Sequence, residues 1–72
     1  MEFRPKICVV GGGYWGKNHI DTLYSLNSLG GIIDLNNNIL NELKDIYPDV
    51  SYYTNLEEAL LSNAFFAFII AT

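Results

Sequence analysis

The spacing of apolar residues changes along this chain from short continuous runs to helical stripes and back. The run Lys6 to Val10 is short, nearly all apolar and rich in β-branched residues, which is typical of a strand buried on both faces. The segment from Tyr14 to about Leu29 has no proline and predicts a helix. Four of its residues share one stripe at helical spacing: Gly16, Ile20, Leu23 and Asn27.

The middle of the chain predicts a second strand and a second helix. Gly30-Gly31 is expected to stop the first helix, and Ile32 to Asp34 then forms a short strand that ends in an acid. Asn36 is a good N-cap for a helix over Asn37 to Tyr47, which Pro48 prevents from continuing.

The last third predicts a short helix and a final strand. Residues 51–53 are expected to be a brief extended piece. The segment Thr54–Glu58 holds two overlapping capping boxes, so that either Thr54 or Asn55 begins the short helix. Phe65 to Thr72 is expected to be a third buried strand.

This order of elements predicts the α/β class. With right-handed crossovers it gives a three-stranded parallel sheet in the order 3-2-1, the βαβαβ half of a Rossmann fold. Strand 1 would then be an open edge, which proteins normally avoid. We therefore expect residues 1–72 to be a partial domain, truncated relative to the full fold, that either belongs to a longer chain or pairs with another copy.

A glycine-rich loop follows the first strand. In GGGYWG the pattern G-x-G-x-x-G fits only Gly11, Gly13 and Gly16. Gly11 is expected to allow the tight turn out of the strand, Gly13 to let backbone approach a pyrophosphate, and Gly16 to let the helix lie close to the strand. The N-terminus of the helix would face the phosphate charge.

An acid at the end of the second strand completes the pattern of a dinucleotide site. Asp34 lies eighteen residues beyond Gly16, where a carboxylate accepts hydrogen bonds from the adenosine ribose and repels a 2′-phosphate. Neither Leu35 nor Asn36 is basic, so NAD is favoured over NADP. Other nucleotide ligands fit less well. An S-adenosylmethionine loop usually has an acidic residue just before its glycines, where this chain has Val10, and the second strand of flavin-binding proteins tends to end in Glu, where this chain has Asp34. The phosphate loop of kinases and GTPases needs Ser or Thr after its lysine, and Lys17 is followed by Asn18.

Composition and charge limit the classes of binding partner and indicate the cellular compartment. A net charge of −4 with four basic residues argues against nucleic acid and anionic membranes as partners. The single Cys8 lies in an apolar run, and no signal segment opens the chain, which together predict a cytoplasmic protein. One cysteine and one histidine, His19, do not make a metal site, and His19 is expected at the edge of the core.

Three segments resemble the Gfo/Idh/MocA oxidoreductases: Val9 to His19, Asp34 to Asn36, and Ile69 to Thr72. Within that family, GYWGKN is most similar to the branch that contains the UDP-N-acetylglucosaminuronate 3-dehydrogenases. The resemblance implies an N-terminal NAD(P)-binding Rossmann domain, followed by a larger domain that binds a sugar or polyol. Family members transfer a hydride between a ring carbon of that substrate and the nicotinamide.

Positions in this sequence take their expected roles from that resemblance. The backbone from Gly13 to Trp15 would face the pyrophosphate, Asp34 the ribose, and Leu35 the adenine. Ala71 and Thr72 would line the cleft. Tyr14 and Trp15 would flank the nicotinamide side.

The family's catalytic residues have no counterpart among these positions. The catalytic lysine belongs to a Glu-Lys-Pro segment after strand 4, and a histidine or aspartate partner comes later, so the 72 residues are expected to bind a cofactor without catalysis. One hypothesis is therefore the NAD-binding portion of a sugar, polyol or nucleotide-sugar dehydrogenase. The alternative is a non-catalytic nucleotide-binding or interaction module that pairs through the open edge of strand 1.

Overall fold

The computed structural model describes residues 5–11 and 13–71, with the side chains of Tyr14 and Trp15 outside the description. Strands and helices alternate along the chain. Their bounds are β1 (Ile7–Val10), α1 (Tyr14–Ser25), β2 (Leu29–Ile33), α2 (Asn37–Ile46), β3 (Ser51–Tyr53), α3 (Leu56–Leu61) and β4 (Ala67–Ile70).

All strand pairs are parallel, and the sheet has four strands in the order β3-β2-β1-β4. The fold is α/β and Rossmann-like, as predicted, but the three-stranded order 3-2-1 is wrong. Two pairings explain the difference. Ser51–Tyr53 is a full strand against β2, and the last strand crosses back to lie beside β1 instead of extending the sheet beyond β2.

Strand β1 is therefore internal. Val9 pairs with Ile32 of β2 on one side and with Ile69 of β4 on the other. The prediction of an open edge at strand 1 is wrong, and so is the basis for pairing another chain there. Among the described strands the sheet edges are β3 and β4.

Helix α1 ends earlier than predicted, at Ser25, because Asn27 adopts the left-handed conformation with φ 60°. The Asn27 N–H donates to the Tyr24 carbonyl and the Ser28 N–H to the Leu23 carbonyl, which is a Schellman motif. Asparagine tolerates this conformation better than most residues. The prediction that Gly30-Gly31 stops the helix is wrong, since both glycines lie inside β2.

The glycines of β2 instead make room for an aromatic ring. A Cβ built on Gly31 would lie 2.5 Å from Cζ of Phe65, and one on Gly30 would lie 3.1 Å from Cε1 of the same ring. The Phe65 ring also meets Tyr53 and Phe68 edge to face, with centroids 5.9 Å and 5.7 Å apart. The ring thus covers β2 on one face of the sheet.

The two faces of the sheet have separate cores. Helices α1 and α2 cover the larger core, whose buried members are Val9, Ile20, Leu23, Leu29, Ile32, Leu40, Leu43 and Val50. The smaller core, on the face of α3, contains Cys8, Ile33 and Ala59. Burial raises the pKa of the Cys8 thiol to about 11, so this cysteine is an inert apolar residue.

Asparagine side chains begin both later helices. The Asn36 side chain accepts from the N–H groups of Asn38 and Ile39, at 2.9 Å and 3.4 Å. The Asn55 side chain accepts from the Glu58 N–H at 2.8 Å, so Asn55 rather than Thr54 is the N-cap of α3. Both helices therefore start with a side-chain acceptor.

Candidate functional site

The site begins where β1 ends. Gly11 has φ 103°, a conformation that residues with a Cβ rarely adopt, and its N–H donates to the Ile33 carbonyl at 2.7 Å. That hydrogen bond joins the ends of β1 and β2. The positive φ of Gly11 is a conformation for which glycine is the expected residue.

Gly16 and Gly13 have different surroundings. A Cβ on Gly16 would overlap the carbonyl of Gly11, so only glycine lets α1 come this close to the end of β1, as predicted. A Cβ on Gly13 would meet nothing within 4 Å. The described chain itself therefore leaves open space beside Gly13.

The N-terminus of α1 differs from those of α2 and α3. Its N-cap is Gly13, without a side-chain hydrogen bond, whereas the side chains of Asn36 and Asn55 cap α2 and α3. The first N–H groups of a helix have no partner within the helix and carry partial positive charge. In the described chain, α1 is thus the helix whose N-terminus has no acceptor from a capping side chain, and it lies next to the space beside Gly13.

A pocket of about 350 Å³ opens at the carboxyl ends of β1, β2 and β3. In open parallel sheets this is the edge where ligands bind. Leu35 is 87% exposed at the pocket. The lining residues are Val10, Gly11, Ile33, Asp34, Leu35, Thr54, Asn55 and Leu56.

Asp34 is held at the rim of this pocket by its neighbours. Its carboxylate oxygen Oδ1 accepts a hydrogen bond from the Asn36 N–H at 2.8 Å, and its own N–H donates to the Tyr53 carbonyl at 3.1 Å. The side chain is half-buried. These bonds orient the carboxylate and join the ends of β2 and β3.

The remaining predicted positions are only partly described. The Ala71 N–H donates to the Val10 carbonyl at 2.8 Å, so Ala71 lies beside the end of β1, on the side away from β2. Thr72 and the side chains of Tyr14 and Trp15 lie outside the described residues. The structure thus brings Gly11, Gly13, Gly16, Asp34, Leu35 and Ala71 to one edge of the sheet.

Sequence reasoning missed five of the residues that line the pocket: Val10, Ile33, Thr54, Asn55 and Leu56. Thr54, Asn55 and Leu56 were assigned only to the start of a helix, yet they line the same pocket as Leu35. Their place in the sequence could have identified them as pocket residues. They follow Tyr53, and once residues 51–53 are a strand parallel to β2, the segment after them must lie at the same edge.

Other candidate groups lie away from this edge or make no cluster. Lys17 and His19 are exposed on α1, so the expectation that His19 borders the core is wrong. The described residues contain no group of three or more acids, histidines or cysteines that could hold a metal ion. A second depression, of about 380 Å³, lies beside Lys6, Tyr24 and Asp49, at the end of the sheet where β1, β2 and β3 begin.

None of the helices in the described part of the chain combines the length and apolar character needed to cross a membrane.

Comparison with known proteins supports the fold. No family model and no curated protein matches the chain. A solved structure does: GenD2 from gentamicin A biosynthesis, crystallised in complex with NAD, is 27% identical, with a TM-score of 0.87. The match covers 100% of this chain and 21% of the GenD2 chain, so the 72 residues span about a fifth of that protein. The chain therefore has the Rossmann-like fold of one part of a protein that was crystallised with NAD.

Proposed function

We propose that this chain binds NAD and is the cofactor-binding portion of an oxidoreductase. The observation that carries the proposal is the contact between Gly16 and Gly11. It holds the uncapped N-terminus of α1 against the end of β1, beside open space at Gly13 and a pocket that contains Asp34. A pyrophosphate needs this combination of a helix N-terminus and close backbone approach. The likeness to GenD2, whose structure contains NAD, supports the same ligand.

Each part of the cofactor has a matching group in this proposal. The backbone from Gly13 to Trp15 binds the pyrophosphate, because the N–H groups of a first helical turn attract anions. Asp34 accepts hydrogen bonds from the adenosine ribose. Its negative charge, with no basic residue at Leu35 or Asn36, favours NAD over NADP.

The remaining predicted contacts belong to the same proposal. Gly11 and Gly16 set the loop geometry, and Leu35 packs against the adenine. Ala71 and Thr72 line the cleft at the end of β4. Tyr14 and Trp15 flank the nicotinamide.

The reaction of the complete enzyme is proposed from the family resemblance. Bound NAD accepts or donates a hydride at its nicotinamide ring. In the Gfo/Idh/MocA family the partner is a ring carbon of a sugar, polyol or nucleotide-sugar. The family's lysine and its histidine partner have no counterpart in these 72 residues, so we propose that the chain binds cofactor and does not catalyse by itself.

Titration with NADH tests cofactor binding. Trp15 is the only tryptophan, so its emission reports on the glycine loop, and calorimetry gives an independent measure of the same affinity. We expect saturable binding, which Asp34→Ala weakens at least about tenfold through the loss of a charge-assisted hydrogen bond.

Asp45→Ala is the matched control, because Asp45 is an exposed acid near the end of α2, away from the pocket. It removes the same charge and should leave the affinity unchanged. Absence of binding by both methods at millimolar NADH, with the circular dichroism of a folded protein, would contradict the proposed function.

A further inference from the structure

Three of the side chains that line the described pocket carry hydrogen-bonding groups: Asp34, Thr54 and Asn55. The Asp34 carboxylate is an acceptor, and the Thr54 hydroxyl rotates to donate or to accept. Asn55 is different, because an amide carries its acceptor and its donors on separate atoms. The way in which the chain uses this amide therefore decides what the pocket offers a ligand at Asn55.

The cap of α3 fixes the role of the Asn55 amide. Its Oδ1 accepts a hydrogen bond from the Glu58 N–H at 2.8 Å, and this bond determines which branch of the amide is the oxygen. The other branch, Nδ2, carries two N–H donors. In the described part of the chain, no residue accepts a hydrogen bond from Nδ2. Asn55 therefore contributes donors to the wall of the pocket.

Asn55 lies one strand farther from the glycine loop than Asp34 does. Asp34 follows β2 and Asn55 follows β3, and the Asp34 N–H joins the two strand ends by donating to the Tyr53 carbonyl. In the proposed function Asp34 binds the ribose, and the exposed Leu35 and Leu56 offer apolar surface to the base. A purine that extends from this ribose toward β3 brings its far edge, with N1 and the substituent at C6, to the loop that contains Asn55.

Purine bases differ at this far edge in the position of one proton. N1 of adenine has no proton and accepts a hydrogen bond, whereas N1 of hypoxanthine carries a proton and donates. The NH₂ group of Asn55 can therefore donate to adenine, but against hypoxanthine it places one donor opposite another. Because polar groups that lose their partner are costly, such a mismatch discriminates between ligands of the same size.

We infer that Asn55 selects the base of the dinucleotide, and that its NH₂ group makes the chain prefer adenine over hypoxanthine. The inference rests on the proposed function and assigns a specificity-determining role to a residue of the loop after β3. Capping of α3 and selection of the base use opposite branches of the same amide. Substitutions can therefore change the donor while they retain the cap.

Calorimetry with NAD and with nicotinamide hypoxanthine dinucleotide, which differs from NAD only in the base, tests the inference. We expect the 72-residue chain to bind NAD at least about fivefold more tightly, the effect of one hydrogen bond. Asn55→Ser keeps a capping oxygen and removes the NH₂ group, so the two affinities should come within about twofold. Asn55→Asp keeps the cap and replaces the donors with an acceptor, so the hypoxanthine dinucleotide should bind at least about threefold more tightly than NAD.

Asn63→Asp is the matched control for the added charge. Asn63 is exposed at the other end of α3 and does not line the pocket, and aspartate tolerates its φ of 52° as asparagine does. This variant makes the same chemical change and should keep the preference of the parent chain for NAD. Circular dichroism checks that each variant is folded.

The outcomes separate the inference from the proposed function. Equal affinity of the parent chain for the two dinucleotides overturns the inference and leaves NAD binding intact. A preference for NAD that survives in either variant of Asn55 assigns the selection to another group and overturns the inference as well. Failure of both dinucleotides to bind the folded parent chain overturns the proposed function together with the inference.

Discussion

Helix α1 approaches the end of β1 so closely that Gly16 lies directly against the carbonyl group of Gly11, with no room for a Cβ between them. Gly13, three residues earlier in the same loop, has open space where its Cβ would be. Gly16 is therefore required by the chain's own packing, whereas nothing in the described chain restricts the side chain at Gly13.

Replacement of these two glycines by alanine should separate stability from binding. Gly16→Ala forces backbone to move, and we expect a loss of about 2 kcal/mol in the free energy of unfolding even after the better helix propensity of alanine. Gly13→Ala should cost at most about 1 kcal/mol, because Gly13 is an N-cap with φ −78°, a value that alanine adopts. Urea unfolding measures both.

Binding should show the opposite order. The Cβ of Gly13→Ala enters the space that we assign to the pyrophosphate, so this variant should bind NADH at least about tenfold more weakly while staying folded. Equal affinity of Gly13→Ala and the parent chain would argue that no ligand approaches the loop there. Equal stability of Gly16→Ala and the parent chain would contradict the close packing of α1.

The ring of Phe65 and the backbone of Gly31 form a second pair that must fit together. Gly31→Ala would place its methyl group 2.5 Å from Cζ of Phe65, and we expect a destabilisation of about 1–3 kcal/mol. Phe65→Leu removes the ring and relieves that contact. The double variant should therefore be more stable than the sum of the single losses predicts, by at least about 0.5 kcal/mol in a double-mutant cycle. Additive losses would show that the two residues do not compete for space.

This pair also explains one limit of the sequence analysis. Two glycines after a helical stripe normally indicate a helix stop, and nothing local distinguishes that use from a strand that needs a bare surface. The requirement comes from Phe65, more than thirty residues later in the chain. Asn27 ends α1 by adopting a left-handed conformation, which asparagine adopts less regularly than glycine, so glycine was the stronger signal.

The sheet order shows the same limit. The strand at Ile7–Val10, the glycine loop and the acid at Asp34 were predictable, because apolar runs, glycines and their spacing are local features. The strand at Ser51–Tyr53 has only three residues, and which strand the last one joins depends on pairing across the whole chain. Leu56 and Thr54 were missed as pocket residues for that reason.

Tyr47 at the end of α2 and Tyr52 in β3 predict that alkaline pH destabilises the fold. The Tyr52 hydroxyl shares its one proton between the carbonyls of Tyr47 and Leu43, at 2.6 Å and 3.0 Å. Burial, and next the nearby Tyr47, raise the pKa of Tyr52 from 10.0 to about 12. Burial raises the pKa of Tyr47 as well, with smaller contributions from Asp21 and Tyr24.

The sign follows from these raised values. Both phenols stay protonated in the folded state at pH values where the unfolded chain has begun to lose those protons. The contribution of these two phenols to the free energy of unfolding is therefore fully present below pH 10, and it is lost as the pH rises from 10 toward about 12. Urea unfolding as a function of pH should show this decline, and Tyr52→Phe should make it shallower while costing about 1 kcal/mol at neutral pH through its lost hydrogen bonds. A decline of unchanged steepness in Tyr52→Phe would exclude Tyr52 as its source.

Asp34 performs two tasks that different substitutions can separate. Its Oδ1 orients the loop by accepting a hydrogen bond from the Asn36 N–H. We expect its negative charge to disfavour a ligand with a 2′-phosphate. Asp34→Asn retains an oxygen that can accept from Asn36 and removes the charge. Asp34→Ala removes both, so it should lower the free energy of unfolding by about 1 kcal/mol more than Asp34→Asn does.

The ratio of the NADH and NADPH affinities, compared between the parent chain and Asp34→Asn, then reports on the negative charge of Asp34 alone. In the parent chain NADH should bind at least about tenfold more tightly than NADPH, since a carboxylate repels the 2′-phosphate. Asp34→Asn should bring the two affinities within about threefold, while Asp45→Asn, the same change on the exposed face of α2, should leave the preference as it was. Because Asp34→Asn keeps the loop acceptor, a loss of NADH preference in this variant identifies repulsion as its cause. A preference that survives in Asp34→Asn and disappears only in Asp34→Ala would instead assign it to the shape of the loop that Asp34 and Asn36 hold together.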